Sequence, residues 1–172
     1  MTSDLITLLR NASKLYHPGF RQGEFTDWRD EQLSWKRTCY IGDWSFLPSL
    51  VVEGPDALQV FSDLAVNSFA RFDIGQAKHA VFCNPSGKVI TEGVLMRLDT
   101  DRYVVHGRPG WWVVFNMSKK RYNARHERED SFIYQVQGPT SLALLEKLTG
   151  ESLRDIGFMR FRTIPINGHP VR

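Results

Sequence analysis

The chain has 172 residues, of which 42% are hydrophobic and 24% charged, values typical of a globular domain with a buried core. No apolar run approaches the roughly 20 residues that cross a bilayer, and no basic segment followed by an apolar one marks a secretory signal. These features argue against a membrane protein and against a secreted one. We expect a cytoplasmic location.

The charge balance is mildly basic, with a formal net charge of +3 and a pI of about 9.0. This excess suits an anionic small molecule without requiring one. The densest basic stretch, at positions 119–128, is followed at once by acidic residues and carries no recognised nucleic-acid motif. We interpret it as a solvated helix end and edge strand, which leaves nucleic-acid binding as a remote alternative.

The cysteines and histidines show no pattern of metal ligation. Cys39 and Cys83 are the only cysteines, and we expect reduced, buried thiols, although the sequence leaves a disulfide between them open. The histidines lack ligand spacings such as His-x₃-His. The sequence therefore predicts no metal site.

Two helices are predicted at the N-terminal end. Ser3 can cap the first, whose apolar residues recur at helical spacing, and a His-Pro-Gly sequence ends it. The second is predicted to begin at Thr26 or Asp27 and to continue past Cys39 to Gly42.

A strand–turn–helix unit occurs twice, 84 positions apart. The copies span 49–64 and 133–148, and each has an apolar strand, a Gly-Pro pair and an amphipathic helix. Gly54 and Gly138 occupy the turns. The prolines that follow are predicted at the first helical position, where a missing N–H costs no hydrogen bond.

Between the two copies the pattern predicts three strands. Strands at 80–83 and 89–98 flank an Asn-Pro-Ser-Gly sequence that is typical of a type I turn. A third strand follows at 103–106. A helix then begins within 107–110 and carries two tryptophans that we expect in the core, and a less regular strand is predicted near 123–126.

The sequence of the C-terminal part predicts a hairpin, but few residues follow its turn to form the return strand. A short helical piece from Leu153 and a strand at 161–166 lead to an Asn-Gly turn. The return strand then reaches Arg172. Because natural proteins avoid unpaired edge strands, we expect further protein beyond Arg172, in the same polypeptide or on a partner chain.

This order of elements predicts an α+β fold with a mixed or antiparallel sheet and packed helices. We expect one domain over residues 1–172, in which 1–40 form a helical N-terminal segment and 41–172 the α+β body.

Four segments, in this order and spacing, resemble the N-terminal part of the aminomethyltransferase family, the glycine cleavage T-protein and its relatives. They are Asp-Trp-Ser at 43–45, Gly-Pro-Asp-Ala at 54–57, Asn-Pro-Ser-Gly-Lys-Val-Ile at 84–90 with Glu92, and Val-Gln-Gly-Pro at 136–139. Within the family the chain is most similar to the tetrahydrofolate-dependent aromatic O-demethylases that act on vanillate and syringate. That likeness is carried by Trp-Arg-Asp-Glu-Gln at 28–32, by 56–68 and by Val-His-Gly-Arg-Pro at 105–109.

The resemblance implies a folate-binding fold and the transfer of a methyl group from a methoxylated aromatic acid to tetrahydrofolate. Two alternatives stay open: an aminomethyl or other one-carbon transferase, and a non-catalytic folate-binding subunit of a larger complex. The implied partners are a small-molecule aromatic or amine methyl donor and the remainder of the enzyme or a partner subunit. Neither a nucleic acid nor a membrane is implied.

The same resemblance implies which residues form the folate site. Glu92, at the position of an Asp in T-proteins, is expected to be catalytic and to contact tetrahydrofolate. Asp43, Ser45 and Phe46 are expected to line the folate cleft. The plainer interpretations are a solvent-facing strand residue for Glu92 and a structural turn for Asp43.

Three further residues are implied for the substrate and the proton. Arg108 is expected to bind the carboxylate of an aromatic acid in a bidentate geometry that lysine does not reproduce, unless it only caps a loop. Tyr16 is the candidate proton donor and His17 a candidate substrate contact, unless His17 belongs to a simple turn.

Overall fold

The computed structural model describes residue 26 and residues 28–172. The chain forms two compact units, each of which draws on two stretches of sequence. The first unit comprises the described residues up to Phe46 together with Phe132–Glu151, and the second comprises Leu47–Ser131 and Ser152–Arg172. The sequence-based expectation of a single domain stays a prediction.

The described residues form four helices and nine strands. In chain order they are α1 (Trp28–Arg37), β1 (Tyr40–Asp43), β2 (Ser49–Glu53), α2 (Ala57–Leu64), β3 (Ala77–Cys83), β4 (Val89–Arg97), β5 (Arg102–Gly107), α3 (Gly110–Met117), β6 (Arg125–Glu129), β7 (Tyr134–Gln137), α4 (Ser141–Thr149), β8 (Ile164–Ile166) and β9 (His169–Val171).

The second unit is built on a five-stranded sheet with the order β3-β4-β5-β2-β6, and every pair in it is antiparallel. The α+β fold with an antiparallel sheet is thereby confirmed. The predicted hairpin at 84–87 is also present, since the Gly87 N–H donates to Asn84 O over 2.9 Å. The Asn84 side chain accepts the N–H of Lys88 and so helps to close the turn.

The core of this unit lies between the sheet and the helices α2 and α3. Alternate strand residues point to the same face, and the helix-side residues form the main core, although Val51 and Val104 on the opposite face are buried as well. The main core is one cluster of Leu50, Val52, Leu95, Tyr103 and Val105 with Val60, Phe61 and Val113 of the helices. Burial of these side chains supplies the main driving force for folding of the unit.

Of the two tryptophans of helix α3 that were expected in the core, only one lies there. Trp112 packs against the core cluster, whereas Trp111 is 57% exposed, so its predicted core position is wrong. Consecutive residues on a helix point about 100° apart, so one of two neighbours turns away from the sheet.

The first unit pairs β1 with β7 in an antiparallel ladder from Tyr40–Gln137 to Asp43–Tyr134. This corrects the expected helix end, because α1 stops at Arg37 and Gly42 lies in a strand. The strand depends on a partner that lies far along the chain, and local helical spacing carries no information about such a partner.

The predicted repeat is confirmed in its backbone geometry. Gly54 and Gly138 adopt φ angles of 134° and 138°, and both lie against a neighbouring backbone. A Cβ atom would stand 2.6 Å from Asn123 O at the first glycine and 2.4 Å from Thr38 O at the second. Only glycine combines this conformation with so close an approach.

The prolines of the repeat lie outside the helices, contrary to the prediction. Pro55 precedes Asp56, the N-cap of α2, and Pro139 precedes Thr140, the N-cap of α4. The N–H three residues after each glycine donates to the glycine carbonyl, over 2.9 and 3.0 Å. Each proline therefore holds the second position of a β-turn, where its fixed φ is also favoured.

The C-terminal hairpin is confirmed, with β8 paired to β9. Asn167 and Gly168 both have positive φ, 49° and 80°, as a two-residue type I′ turn requires. The helical piece predicted from Leu153 is wrong, since the segment forms turns. Met159 within it has a φ of 57°, which a right-handed helix excludes.

Candidate functional site

The candidate site is the face of the five-stranded sheet opposite α2 and α3, called here the open face. The register places five side chains in one row across it, because directly paired residues of antiparallel strands point the same way. In strand order they are His79, Val94, His106, Ser49 and Glu129. The row turns a chemically mixed set of side chains toward one surface.

Val94 is the apolar centre of this face. It is 39% exposed, although it lies on β4, a strand with a neighbour on each side. His79 and His106 flank it on the adjacent strands, and Glu92 precedes it by two residues on its own strand. The result is an exposed apolar side chain with hydrogen-bonding groups on its adjacent strands and on its own strand.

Glu92 is turned to the open face, as its proposed role requires. It lies opposite Val81 in the β3–β4 ladder, and its Oε2 atom is 3.3 Å from Nε2 of His79. Both side chains are more than half exposed, so their contact orients the carboxylate without removing it from solvent. Glu92 retains acceptor positions for a ligand, since a carboxylate offers about four lone-pair directions.

Arg108 stands next to this group because of the β4–β5 register. The ladder ends at the pair Gly93–Gly107, so Arg108 follows one residue after it and Glu92 precedes it by one. The next residue, Pro109, is fully buried, and its ring fits against Gly93, where an added Cβ would stand 2.8 Å from Cγ of the proline. The sheet thus brings the backbone of Arg108 close to that of Glu92.

His106 joins the open face through a network of hydroxyl groups. Its Nδ1 atom is 2.7 Å from Ser49 Oγ, which is 3.1 Å from Ser131 Oγ. Burial lowers the pKa of the His106 imidazole, the carboxylate of Glu129 opposes this shift, and Arg172 adds to it. The ring is therefore neutral at pH 7, since the ordinary pKa is already about 6.5.

Glu129 and Arg172 close the far end of the row. Glu129 Oε1 accepts a hydrogen bond of 2.7 Å from Arg172 Nη2. Within the described part of the chain, its other oxygen is buried without a partner. A buried carboxylate oxygen without a partner is costly, and the hydrogen bond from Arg172 to the other oxygen offsets part of that cost.

Asp43 and Ser45 lie in the first unit and form a turn. The Asp43 carboxylate accepts the Ser45 N–H over 2.9 Å. The buried Ser45 hydroxyl accepts the N–H of Ile133 over 3.0 Å, and the Trp44 N–H donates to the Ile133 carbonyl. These contacts fit the plainer structural interpretation of Asp43 and give the Ser45 hydroxyl a structural role as well.

Phe46 of the same unit is 40% exposed. Its ring centroid lies 5.6 Å from that of Trp44, so two aromatic side chains present a joint apolar surface. Tyr16 and His17 lie outside the described residues.

Sequence reasoning missed His79, Ser49 and His106 as parts of the site. The register of the strands is what aligns them, and the spacing 49, 79, 106 carries no motif. The sequence carried part of this information, because Glu92 and His106 both alternate with apolar core positions of their strands and are therefore expected on the opposite face.

The described residues contain no group of three or more His, Cys, Asp or Glu side chains arranged to hold a metal ion. In the same part of the chain no helix has the length and hydropathy to cross a bilayer. Both cysteines are free thiols and partly buried.

Residues 11–172 match the sequence profile described as the GCVT N-terminal domain. The chain belongs to the GCVT N-terminal domain family. This confirms the family that the sequence motifs predicted.

Two relatives with high identity carry different names. The chain is 36% identical over 163 residues to "Sesamin methylene transferase" of Sinomonas sp. (strain No.22), covering 90% of this chain and 35% of that protein. It is 30% identical over 169 residues to "Syringate O-demethylase" of Sphingobium sp. (strain NBRC 103272 / SYK-6), covering 90% and 36%. An "Aminomethyltransferase" of Halothermothrix orenii is 28% identical over 154 residues, with 86% and 43% covered.

The structural comparison supports the same fold. The chain resembles the glycine cleavage system aminomethyltransferase T from Bartonella henselae with a TM-score of 0.68 and 21% identity, over 76% of this chain and 37% of that one. The chain spans little more than a third of the length of the first two curated relatives.

Proposed function

We propose that this chain is the folate-binding part of a transferase that moves a one-carbon group from an aromatic ether to tetrahydrofolate, with the methyl group of a methoxylated aromatic acid as the first candidate. The observation that carries this proposal is the pair of relatives named for methylene transfer from sesamin and for O-demethylation of syringate. They share 36% and 30% identity with the chain over 90% of its length.

The open face suits the flat ring of a reduced folate. A pterin has adjacent N–H donors at one edge, and the exposed carboxylate of Glu92 is an acceptor for them. Val94 supplies an apolar surface beside it. Tetrahydrofolate, when bound, supplies the nitrogen that receives the one-carbon group. The role of this chain is then to hold and orient the two reactants, the main source of rate in such a transfer.

Arg108 is the proposed contact for the carboxylate of the aromatic donor. Its position beyond the end of the β4–β5 ladder, one residue from the pair Gly93–Gly107, keeps it close to Glu92 along the sheet. A guanidinium binds a carboxylate through two parallel hydrogen bonds and so fixes the angle of the attached ring. Phe46 is retained as a proposed aromatic contact, and Tyr16 as the proposed proton donor.

A second candidate is methylene transfer from an aromatic methylenedioxy group. It is favoured by the higher identity to the relative named for sesamin, 36% against 30%. The two reactions differ in bonds. Methyl transfer breaks one C–O bond and forms one C–N bond, whereas methylene transfer breaks two C–O bonds and forms two C–N bonds.

The products distinguish these candidates. The protein that contains this chain is incubated with tetrahydrofolate and either syringate or sesamin, and the folates are separated by mass. A methyl-tetrahydrofolate formed with a phenol supports the first candidate, and a methylene-tetrahydrofolate formed with a catechol supports the second. Folate binding without turnover of either donor would contradict both and favour an amine donor or a non-catalytic subunit.

A further inference from the structure

His106 differs from the other histidine of the open face in how firmly it is held. His79 is more than half exposed, whereas His106 is partly buried, and its Nδ1 atom lies 2.7 Å from the Oγ atom of Ser49. Ser49 is 3% exposed and is itself 3.1 Å from Ser131 Oγ. The imidazole therefore has one ring nitrogen fixed by a buried hydroxyl.

This contact links the proton on Nε2 to the direction of the serine hydrogen bonds. A neutral imidazole has one N–H donor and one acceptor nitrogen, and the partner of one nitrogen selects the tautomer. When Ser131 donates to Ser49 and Ser49 donates to Nδ1, the proton of the ring lies on Nε2; when both bonds run the other way, it lies on Nδ1. In either arrangement the hydroxyl of Ser49 both donates and accepts a hydrogen bond.

The Nε2 atom is at the outer end of the ring, away from the sheet backbone. His106 directly pairs with Val94, so the ring stands beside the exposed apolar centre of the open face. The ring accepts or donates its hydrogen bond at Nδ1, and among the described residues Nε2 is not a buried atom without a partner. It is therefore placed to meet a molecule that lies over Val94.

We propose that Ser49 holds His106 in the tautomer protonated on Nε2, and that this N–H donates a hydrogen bond to an oxygen of the ligand on the open face. The oxygen class that fits is the ether or phenol oxygen of the aromatic donor. This ligand role rests on the proposed function. His106 acts in it as a specificity-determining residue, because it favours an oxygen acceptor over a donor group at that point.

The charged groups around His106 are consistent with a neutral imidazole that donates from Nε2. Glu129 lies on the other side of Ser49 in the same row and is paired with Arg172 over 2.7 Å. Glu127, on the same face, lies within 3.9 Å of Arg102. The carboxylates nearest the serine network thus each have a cation of their own.

The tautomer is measured without any ligand. Two-bond ¹H–¹⁵N correlation of the histidine rings separates the Nε2–H form from the Nδ1–H form. We expect the Nε2–H pattern for His106 and a mixture of both forms in Ser49→Ala. An Nδ1–H pattern in the unsubstituted chain would overturn the proposal.

The ligand role is measured by titrating the chain with syringate. We expect the Nε2–H resonance to move, and His106→Phe to weaken binding about 5- to 20-fold, the effect of one desolvated hydrogen bond. His106→Gln is expected to restore part of the affinity through its amide N–H. His126→Phe, a change on β6 on the helix side of the sheet, serves as the control.

The outcomes separate the two proposals. An Nε2–H tautomer with equal syringate binding by His106→Phe would overturn the donor role and leave the proposed function standing. Failure of the unsubstituted chain to bind either syringate or tetrahydrofolate would overturn the proposed function, and the donor role with it.

Discussion

Nε2 of His79 lies 3.3 Å from Oε2 of Glu92 across the β3–β4 ladder, on the face of the sheet opposite α2 and α3. The two residues are diagonal neighbours, since His79 pairs with Val94 and Glu92 with Val81. Exposed pairs of this kind add little to stability. Their importance lies in orienting a carboxylate that is proposed to bind the folate.

His79→Ala is expected to weaken tetrahydrofolate binding about 2- to 5-fold, because the Glu92 carboxylate then loses an orienting partner of the kind worth up to about 1 kcal/mol. His79→Gln keeps an N–H donor and is expected to lie closer to the unsubstituted chain. Calorimetric titration measures both. If His79 orients Glu92, the loss of tetrahydrofolate affinity caused by His79→Ala should shrink when Glu92→Gln is also present. An equal loss in both backgrounds would contradict this role, since uncoupled residues give additive effects.

Gly93→Ala is expected to destabilise the second unit by about 2–4 kcal/mol, because the new Cβ would stand 2.3 Å from His106 O and close to the Pro109 ring. Chemical denaturation followed by circular dichroism measures the change. Gly157→Ala is the matched control, since the nearest atom to its new Cβ is a side-chain carbon 3.7 Å away. Equal stability of the two variants would show that the approach of Pro109 to β4 is looser than described.

The pH dependence of stability is expected to report on His106. Its pKa in the folded chain lies below the ordinary value because of burial, so the unfolded chain binds a proton first as the pH falls. The stabilising contribution of the neutral ring is complete above about pH 6.5 and is lost as the pH falls below it toward the folded-state pKa. His106→Gln should flatten this part of the profile of unfolding free energy against pH. A profile unchanged by the substitution would refute the assignment.

A second titration is expected from Asp63 of α2. Its carboxylate accepts hydrogen bonds from Lys120, Gln59 and Tyr122, which hold its pKa below the usual value of 3.8. The stabilisation is present above about pH 4 and is lost as the pH falls through the folded-state pKa. Asp63→Asn should cost about 1 kcal/mol at pH 7, the range of a partly exposed pair, and less at pH 3. Equal costs at both pH values would show that the charge of Asp63 has no part in the effect.

The repeated unit shows which features of the fold can be predicted from local sequence. Gly54 and Gly138 mark their turns from the sequence, because a Gly-Pro pair between a strand and a helix has few other uses. Strand β1 was missed, since Tyr40 and Ile41 are held as a strand only by residues 136 and 137. Local patterns identify turns and alternation, whereas the partner of a short strand is a property of the whole fold.

The candidate site was predictable to a similar degree. Glu92 and Arg108 were proposed from the family resemblance and stay predictions, and the β4–β5 register places their backbones near each other. His79 and His106 were not found, because a row across a sheet joins residues with no fixed spacing in the chain. Asp43 and Ser45 fit a structural turn, since a short acidic-x-Ser segment closes on its own backbone as readily as it binds a ligand.

The most direct test of the central claim is calorimetric titration of the chain with tetrahydrofolate, comparing the unsubstituted chain with Glu92→Gln and Glu127→Gln. Glu127 is the matched control, because it is a glutamate on the same face of the sheet but lies on β6, three strands from β4, or about 14 Å away. The open face predicts saturable binding that Glu92→Gln weakens at least about 10-fold, the loss of a charge-assisted pair of hydrogen bonds, and that Glu127→Gln leaves unchanged. Binding weakened equally by both substitutions, or by neither, would contradict the assignment of the folate site to Glu92.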